Sequence, residues 1–169
     1  MKLLSALFAF AIAGSLNAVQ AQATVVDLAA GSKEHTTLVA AVKAAGLVEA
    51  LQSPGPFTVF APVDAAFENL PKGTVETLLK AENRNLLTQI LTYHVLAGSF
   101  DAASVIKAVK EGGGKAEVKT LSGGMLTLSI RDGSVIITDE KGGMAKVVAA
   151  DLKAGNGIVH VIDSVVLPK

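Results

Sequence analysis

Three histidines are the side chains of this sequence best suited to bind a metal ion or to transfer protons. They are His35, His94 and His160, and no two of them form a close pair such as His-x-x-x-His. Zinc ligands usually include such a pair. His94 and His160 also lie within apolar runs. We therefore predict structural histidines and no metal site.

Other catalytic patterns are also incomplete. Gly112–Gly114 precede Lys115, but the spacing of a phosphate-binding loop is absent and Ala116 cannot supply a magnesium-binding hydroxyl. The sequence has no Gly-x-Ser-x-Gly motif and no cysteine. Carboxylates such as Asp132 and Asp139 lie beside turns, where solvated charge explains them. We predict that the protein is not an enzyme and uses no cofactor.

The first twenty or so residues have the three parts of a secretory signal peptide. Lys2 is the positive start, Leu3–Ala13 form the apolar centre, and small residues lead to Ala21 and Ala23. The apolar centre is shorter than the roughly 20 residues of a membrane-spanning helix. The sequence predicts a signal peptide at 1–21, with cleavage after Ala21 or Ala23. It also predicts a secreted or periplasmic protein that does not insert into the membrane after cleavage.

The composition restricts the mature chain and its partners. Residues 24–168 have the usual size of one domain, and with half of all residues hydrophobic they can form a packed core without disulfides. The formal net charge is +0, and aromatic residues make up only 4%. A nucleic-acid surface would need a basic patch or stacked rings. We therefore predict no nucleic-acid partner.

Apolar residues recur at helical spacing in the first half of the chain. We predict helices at Thr36–Ala45 and Leu47–Leu51, a short helix capped by Asp64, a turn of helix from Thr74, and a longer helix capped by Asn83. This pattern places most helices before the strands.

The second half of the chain alternates apolar and polar residues, as half-buried strands do. Asp132-Gly133 predicts a hairpin turn, and Asn156-Gly157 predicts a turn with positive φ. Gly112–Gly114 form a loop. The predicted strands are Phe57–Phe60, Leu126–Ile130, Val135–Ile137, Val147–Ala150 and Ile158–Leu167. The chain is therefore expected to form one α+β domain.

Three segments resemble the signature motifs of the fasciclin (FAS1) family, in the family's order. They are Phe57–Pro62 followed by Asp64–Phe67, then Leu91–Val95, and finally Asn156–Asp163. The resemblance implies a β-sandwich wedge flanked by N-terminal helices, and it marks as structural the motif residues Phe60, Pro62, Asp64, Phe67, Asn156, Gly157, His160 and Asp163.

The resemblance also implies an extracellular, noncatalytic binding module that contacts a cell-surface or matrix protein. Asp151-Leu152 resembles a pair implicated in integrin contact, although isoleucine is common where Leu152 stands. The alternative is that Asp151 starts a turn and Leu152 packs inward. Because some fasciclin-like proteins bind carotenoids, a carrier of an apolar small molecule is the second candidate.

Tyr93 and His94 belong to the family's second motif, which the resemblance marks as an adhesion contact. The helical spacing favours a structural role instead, because His94 shares one stripe with Leu86 and Ile90. An adhesion contact would require both side chains to be exposed, whereas the spacing predicts that both are buried.

Overall fold

The computed structural model describes residues 23–169, so the predicted signal peptide lies outside the described residues. The helices are α1 Val25–Gly31, α2 Thr36–Ala45, α3 Val48–Gln52, α4 Asp64–Glu68, α5 Thr74–Leu78, α6 Arg84–Tyr93 and α7 Ala102–Glu111, with a 3-10 turn at Ala81–Asn83. The strands are β1 Phe57–Pro62, β2 Val95–Ala97, β3 Lys115–Lys119, β4 Met125–Arg131, β5 Ser134–Thr138, β6 Met144–Ala154 and β7 Gly157–Ile162.

The strands form one continuous mixed sheet in the order β2-β1-β7-β6-β5-β4-β3. β1 and β7 are parallel, and the other neighbours are antiparallel. The long β6 pairs with β5 through its first residues and with β7 through the rest, so it joins the two halves of a wedge. A bridge between Leu96 and Thr120 brings the two ends of the sheet together. The predicted α+β wedge is confirmed.

Two apolar clusters hold this architecture together. One lies between the N-terminal helices and the sheet, where Leu38 and Leu87 pack with Val59 and Val159. The other fills the wedge around Phe60 and is closed by one face of α7. Burial of this much apolar surface is the main stabilising contribution available to a chain without disulfides.

The local patterns with the strongest sequence signals are confirmed. α2 spans the predicted residues, and Gly46 ends it in a left-handed conformation. In the β4–β5 hairpin, Asp132 and Gly133 both have positive φ, as a two-residue type I′ turn requires. The Gly112–Gly114 segment is a loop between α7 and β3.

Other predictions were incomplete or wrong. The second half of the chain contains a helix, α7, so the helices are not all N-terminal. β6 is longer than the predicted Val147–Ala150 strand, and β7 ends at Ile162, well before Leu167. Asn83 precedes α6, but its side chain donates to the carbonyl oxygen of Thr77 and does not cap the helix. Among residues 23–169, no helix has the length and apolarity to cross a bilayer.

Candidate functional site

Tyr93 and His94 stand at the C-terminal end of α6, and neither side chain is exposed. The burial that the helical spacing predicts is confirmed. The apolar stripe is narrower than expected, because Leu86 is 46% exposed while Leu87 and Ile90 reach the core. In this conformation Tyr93 and His94 offer no surface to a partner.

The His94 ring connects α6 to the C-terminal segment of the chain. Its Nδ1 lies 2.7 Å from the carbonyl oxygen of Ile90, and its Nε2 lies 3.2 Å from the backbone nitrogen of Val166. Since Val166 N–H can only donate, Nδ1 carries the proton and donates to Ile90. Burial lowers the pKa of His94 to about 4, against the smaller opposing effects of the Ile90 hydrogen bond and the charge of Asp139. The ring is therefore neutral at physiological pH.

The Tyr93 side chain connects α6 to the wedge. Its hydroxyl donates to the carbonyl oxygen of Met125 at 2.7 Å and accepts from the backbone nitrogen of Glu140 at 3.2 Å. A Cβ on Gly124 would lie 2.7 Å from the Tyr93 ring, so glycine is required there. Burial raises the pKa of Tyr93 to about 12. Both residues of this motif thus act as structural links in the described conformation.

Asp64 differs from its predicted role. Its carboxylate accepts from the backbone nitrogen of Thr37 at 2.8 Å and from the hydroxyl of Thr36 at 2.6 Å. It therefore caps α2, whose own N-cap residue makes no capping bond through its side chain, and it does not cap the helix in which it lies. Burial alone would raise the pKa of Asp64, but these hydrogen bonds together lower it.

The other residues of the first motif lie in the core. Phe60 and Pro62 are fully buried on β1, and Phe67 packs into the helix-side cluster. The Phe60 ring stacks on the His160 ring with centroids 5.7 Å apart. This contact joins the first and last motifs across the parallel pair β1–β7.

Asn156 connects the β6–β7 turn to the N-terminal helices. Its Nδ2 donates to the carbonyl oxygens of Leu51 and Ser53 at 2.6 and 3.0 Å, and its Oδ1 accepts from the backbone nitrogen of Val25 at 2.9 Å. All the hydrogen-bonding groups of this side chain contact segments that are distant in sequence. These three hydrogen bonds explain why asparagine is needed at this position.

The predicted positive φ at Asn156-Gly157 is wrong, since neither residue adopts it. Gly157 is required for a different reason: a Cβ there would collide with the backbone of Phe57 on the neighbouring strand. Close approach of β1 and β7 therefore explains this glycine.

His160 and Asp163 fix the backbone around β6. His160 Nε2 lies 2.6 Å from the carbonyl oxygen of Phe100, and its Nδ1 accepts from the backbone nitrogen of Asp151 at 3.3 Å. Asp163 accepts from the backbone nitrogen of Lys146 at 2.8 Å. Within residues 23–169, His, Asp and Glu side chains do not gather in threes to hold a metal ion.

Asp151 lies in an irregular part of β6. Between Val147 and Leu152 this strand advances five residues while β7 advances three, from Ile162 to Val159, so β6 contains two extra residues. Asp151 adopts a left-handed φ of 58° there. Its Oδ1 accepts from the backbone nitrogen of Ala102 at 2.8 Å, at the start of α7. The bulge and this contact fix the orientation of the carboxylate.

Leu152 is 42% exposed, so the inward-packing alternative does not describe this structure. Val148 on the same strand is 56% exposed. We call the three residues Val148, Asp151 and Leu152 the β6 outer surface. Val148 is not among the predicted contact residues, because a regular strand alternation cannot predict which side chains a bulged strand exposes.

The chain folds into a seven-stranded wedge with flanking helices, and the three motif segments occur in it in the order described above. Comparison with known families then assigns the chain to one of them. The fasciclin domain profile matches residues 33–168. The chain belongs to the fasciclin domain family.

Several relatives match most of this chain. Protein sll1483 of Synechocystis sp. is 50% identical over 145 residues, which are 86% of this chain and 73% of that protein. Immunogenic protein MPB70 of Mycobacterium bovis is 38% identical over 152 residues, covering 87% of this chain and 70% of MPB70. Transforming growth factor-beta-induced protein ig-h3 of Sus scrofa is 37% identical over 145 residues, 86% of this chain but 19% of ig-h3.

A solved structure supports the fold. The FAS1 domain pair from the insect cell adhesion molecule fasciclin I superposes with a TM-score of 0.62 at 23% identity, over 75% of this chain and 42% of that one. At this identity the likeness establishes the fold alone.

Proposed function

We propose that the mature protein is an exported, noncatalytic binding module that attaches to a protein of a cell surface or extracellular matrix. Its contact region is the β6 outer surface. The observation that supports this most strongly is the exposure of Leu152 and Val148 on either side of Asp151. Membership of a family that includes a cell adhesion molecule favours the same class of function.

The geometry suits a small recognition patch. Asp151 is exposed, and among the described residues only its Oδ1 accepts a hydrogen bond. Its second oxygen can accept a hydrogen bond from a partner, while Leu152 and Val148 supply apolar contact area. An acidic group of fixed orientation beside apolar side chains gives both charge specificity and desolvation energy.

The test measures the attachment of cells or of extracellular-matrix protein to a surface coated with the purified mature protein. Asp151→Asn combined with Leu152→Ser removes the charge and the apolar contact. Asparagine can keep the bond to Ala102 and tolerates a left-handed φ, whereas alanine would do neither. We expect adhesion to fall at least fivefold while the thermal midpoint stays within a few degrees.

The matched control is Leu86→Ser, which removes an equally exposed leucine from α6, away from β6. This variant should adhere like the wild type. Equal adhesion by the double variant and the wild type would contradict the proposal, as would an equal loss in the Leu86→Ser control.

The second candidate, a carrier of an apolar small molecule such as a carotenoid, is favoured by one observation. A cleft of about 360 Å³, lined mainly by apolar side chains, opens beside β6. This volume lies within the usual range of about 300 to 1,000 Å³ for small-molecule sites. Protein purified from its natural source should then contain an extractable apolar compound, with a visible absorption band if that compound is a carotenoid.

A further inference from the structure

The cleft lies between the N-terminal helical region and the face of the sheet that β6 and β7 present to it. One side is formed by Leu28, Ala29 and the loop residues Ser32, Glu34 and His35. Ala149, Leu152, Val159 and Val161 are paired across β6 and β7 and form the sheet side, with Val148 also lining the cleft. Apart from Ser32, Glu34 and His35 the lining side chains are apolar, so a mainly apolar molecule is the ligand that would gain most from entering.

His35 is the polar residue of the cleft with an unmet hydrogen-bonding requirement. Its side chain is only 4% exposed. Its Nδ1 lies 2.8 Å from the hydroxyl of Ser32, whereas Nε2 has no hydrogen-bond partner among residues 23–169. A buried polar atom without a partner destabilises the folded state, and such atoms are rare in folded proteins.

The hydrogen bonds around Ser32 favour one tautomer of His35. The Ser32 oxygen accepts from the backbone nitrogen of Glu34 at 3.3 Å. A hydroxyl oxygen can accept twice, but among the described residues the Ser32 hydroxyl hydrogen has no acceptor other than His35 Nδ1; donation to Nδ1 satisfies it and leaves the ring proton on Nε2. The unpaired atom is in that case an N–H donor, and the group that completes it is an acceptor oxygen.

We propose that the cleft binds a small apolar molecule bearing a carbonyl oxygen, and that this oxygen accepts a hydrogen bond from His35 Nε2. This inference rests on the second candidate function and gives it a site and a ligand chemistry. Val148 and Leu152 of the β6 outer surface also line the cleft, whereas His35 lies outside that surface, so His35 variants test this inference separately from adhesion.

The burial of Nε2 favours a small molecule over the surface of a protein partner. The atom has almost no exposed surface in the described conformation, so a side chain that lines the cleft must rotate before an acceptor can reach it. A slender ligand can follow that opening, while a folded partner would remain at the rim. Binding gives the unpaired donor a partner, and the removal of this energetic penalty contributes favourably to the binding free energy.

The test uses prodan, a naphthalene dye with one propionyl carbonyl and an emission that shifts to the blue in apolar surroundings. Mature wild-type protein should bind it with a blue shift. His35→Leu removes the donor and should weaken binding roughly three- to tenfold, the effect of one hydrogen bond. His35→Gln restores an N–H donor at a similar distance from the backbone and should recover most of the affinity.

Two further variants locate the site. Leu152→Asp places a charge on the lining and should weaken binding more than tenfold. Met144→Asp makes the same change at an exposed position of the same strand that does not line the cleft, so binding should be unchanged.

Heteronuclear NMR of the histidine ring nitrogens should show a ligand-dependent shift at His35 Nε2, and urea midpoints verify that each variant is folded.

The possible failures differ in meaning. Binding of equal strength by the wild type, His35→Leu and Leu152→Asp would overturn the assigned site but leave the carrier function open. No binding of prodan by the folded wild type would overturn the proposed site and ligand chemistry, and an apolar compound extracted from native protein would still support a carrier. Loss of binding in Met144→Asp would also overturn the assignment.

Discussion

Replacing His94 by alanine should destabilise the protein strongly without acting on a partner contact. The substitution removes a buried ring that accepts from the backbone nitrogen of Val166 and donates to the carbonyl oxygen of Ile90. An unpaired buried backbone group costs about 1 to 3 kcal/mol, and the cavity left by the ring adds a comparable amount. We therefore expect a loss of roughly 3 to 5 kcal/mol from a total that for domains is about 5 to 15 kcal/mol.

The assay is urea unfolding followed by circular dichroism. With a slope of about 1.5 to 2 kcal/mol per molar urea, the midpoint of His94→Ala should fall by roughly 2 M. His94→Asn can keep the bond to Ile90 and should lose less. Leu86→Ala, an exposed position on the same helix, is the control and should change the midpoint by less than about 0.5 M.

Adhesion measured on the same samples separates structure from contact. At equal concentrations of folded protein, His94→Ala should adhere as the wild type does, since the side chain is not exposed. A wild-type urea midpoint combined with abolished adhesion would refute the structural role and restore His94 as a contact residue.

Four other outcomes are expected. Tyr93→Phe should lower the free energy of unfolding by about 1 to 2 kcal/mol, because the carbonyl of Met125 and the backbone N–H of Glu140 lose their shared partner. Tyr93→Ala should lower it clearly more, and equal urea midpoints for the two variants would contradict this. Because burial lowers the pKa of His94 from its ordinary value of 6.5 to about 4, the unfolded chain binds more protons than the folded protein between these pH values. The stability that His94 contributes is complete above pH 6.5 and is lost as the pH falls towards 4, by about 2 kcal/mol at pH 5. A urea midpoint independent of pH in this window would argue against neutral burial of the ring. Asp64→Ala should lower stability by about 1 kcal/mol through loss of the α2 cap, measured by thermal unfolding beside Asp64→Asn, which retains an acceptor. N-terminal sequencing of the exported protein should find Gln22 or Thr24 first, and a start at Met1 in membrane-bound material would exclude cleavage.

Sequence predicted the elements whose signals are local. The β4–β5 hairpin follows from alternating residues around Asp132-Gly133, and α2 follows from apolar spacing that ends at Gly46. Two missed helices also have local signals. Thr24 and Asp27 form a capping box at the start of α1, and Asp101 caps α7 through the backbone nitrogen of Ser104. These helices could have been found from the sequence.

The roles of the motif side chains could not be predicted in the same way, because their partners are far away in sequence. Asp64 caps a helix that begins 28 residues earlier, and Asn156 reaches Val25 across 131 residues. The exposure of Leu152 depends on extra residues in β6 relative to β7, which no single-strand pattern reveals. The resemblance identified which residues form the motifs, and the structure supplied their contacts.

Hydrogen exchange of the mature protein, free and bound to the surface to which it adheres, locates the contact region. Backbone amides at residues 148–153 should exchange more slowly on binding, with no change at Tyr93 and His94, whose side chains are already buried. Protection confined to another region, such as β3 and β4, would contradict attachment through the β6 outer surface.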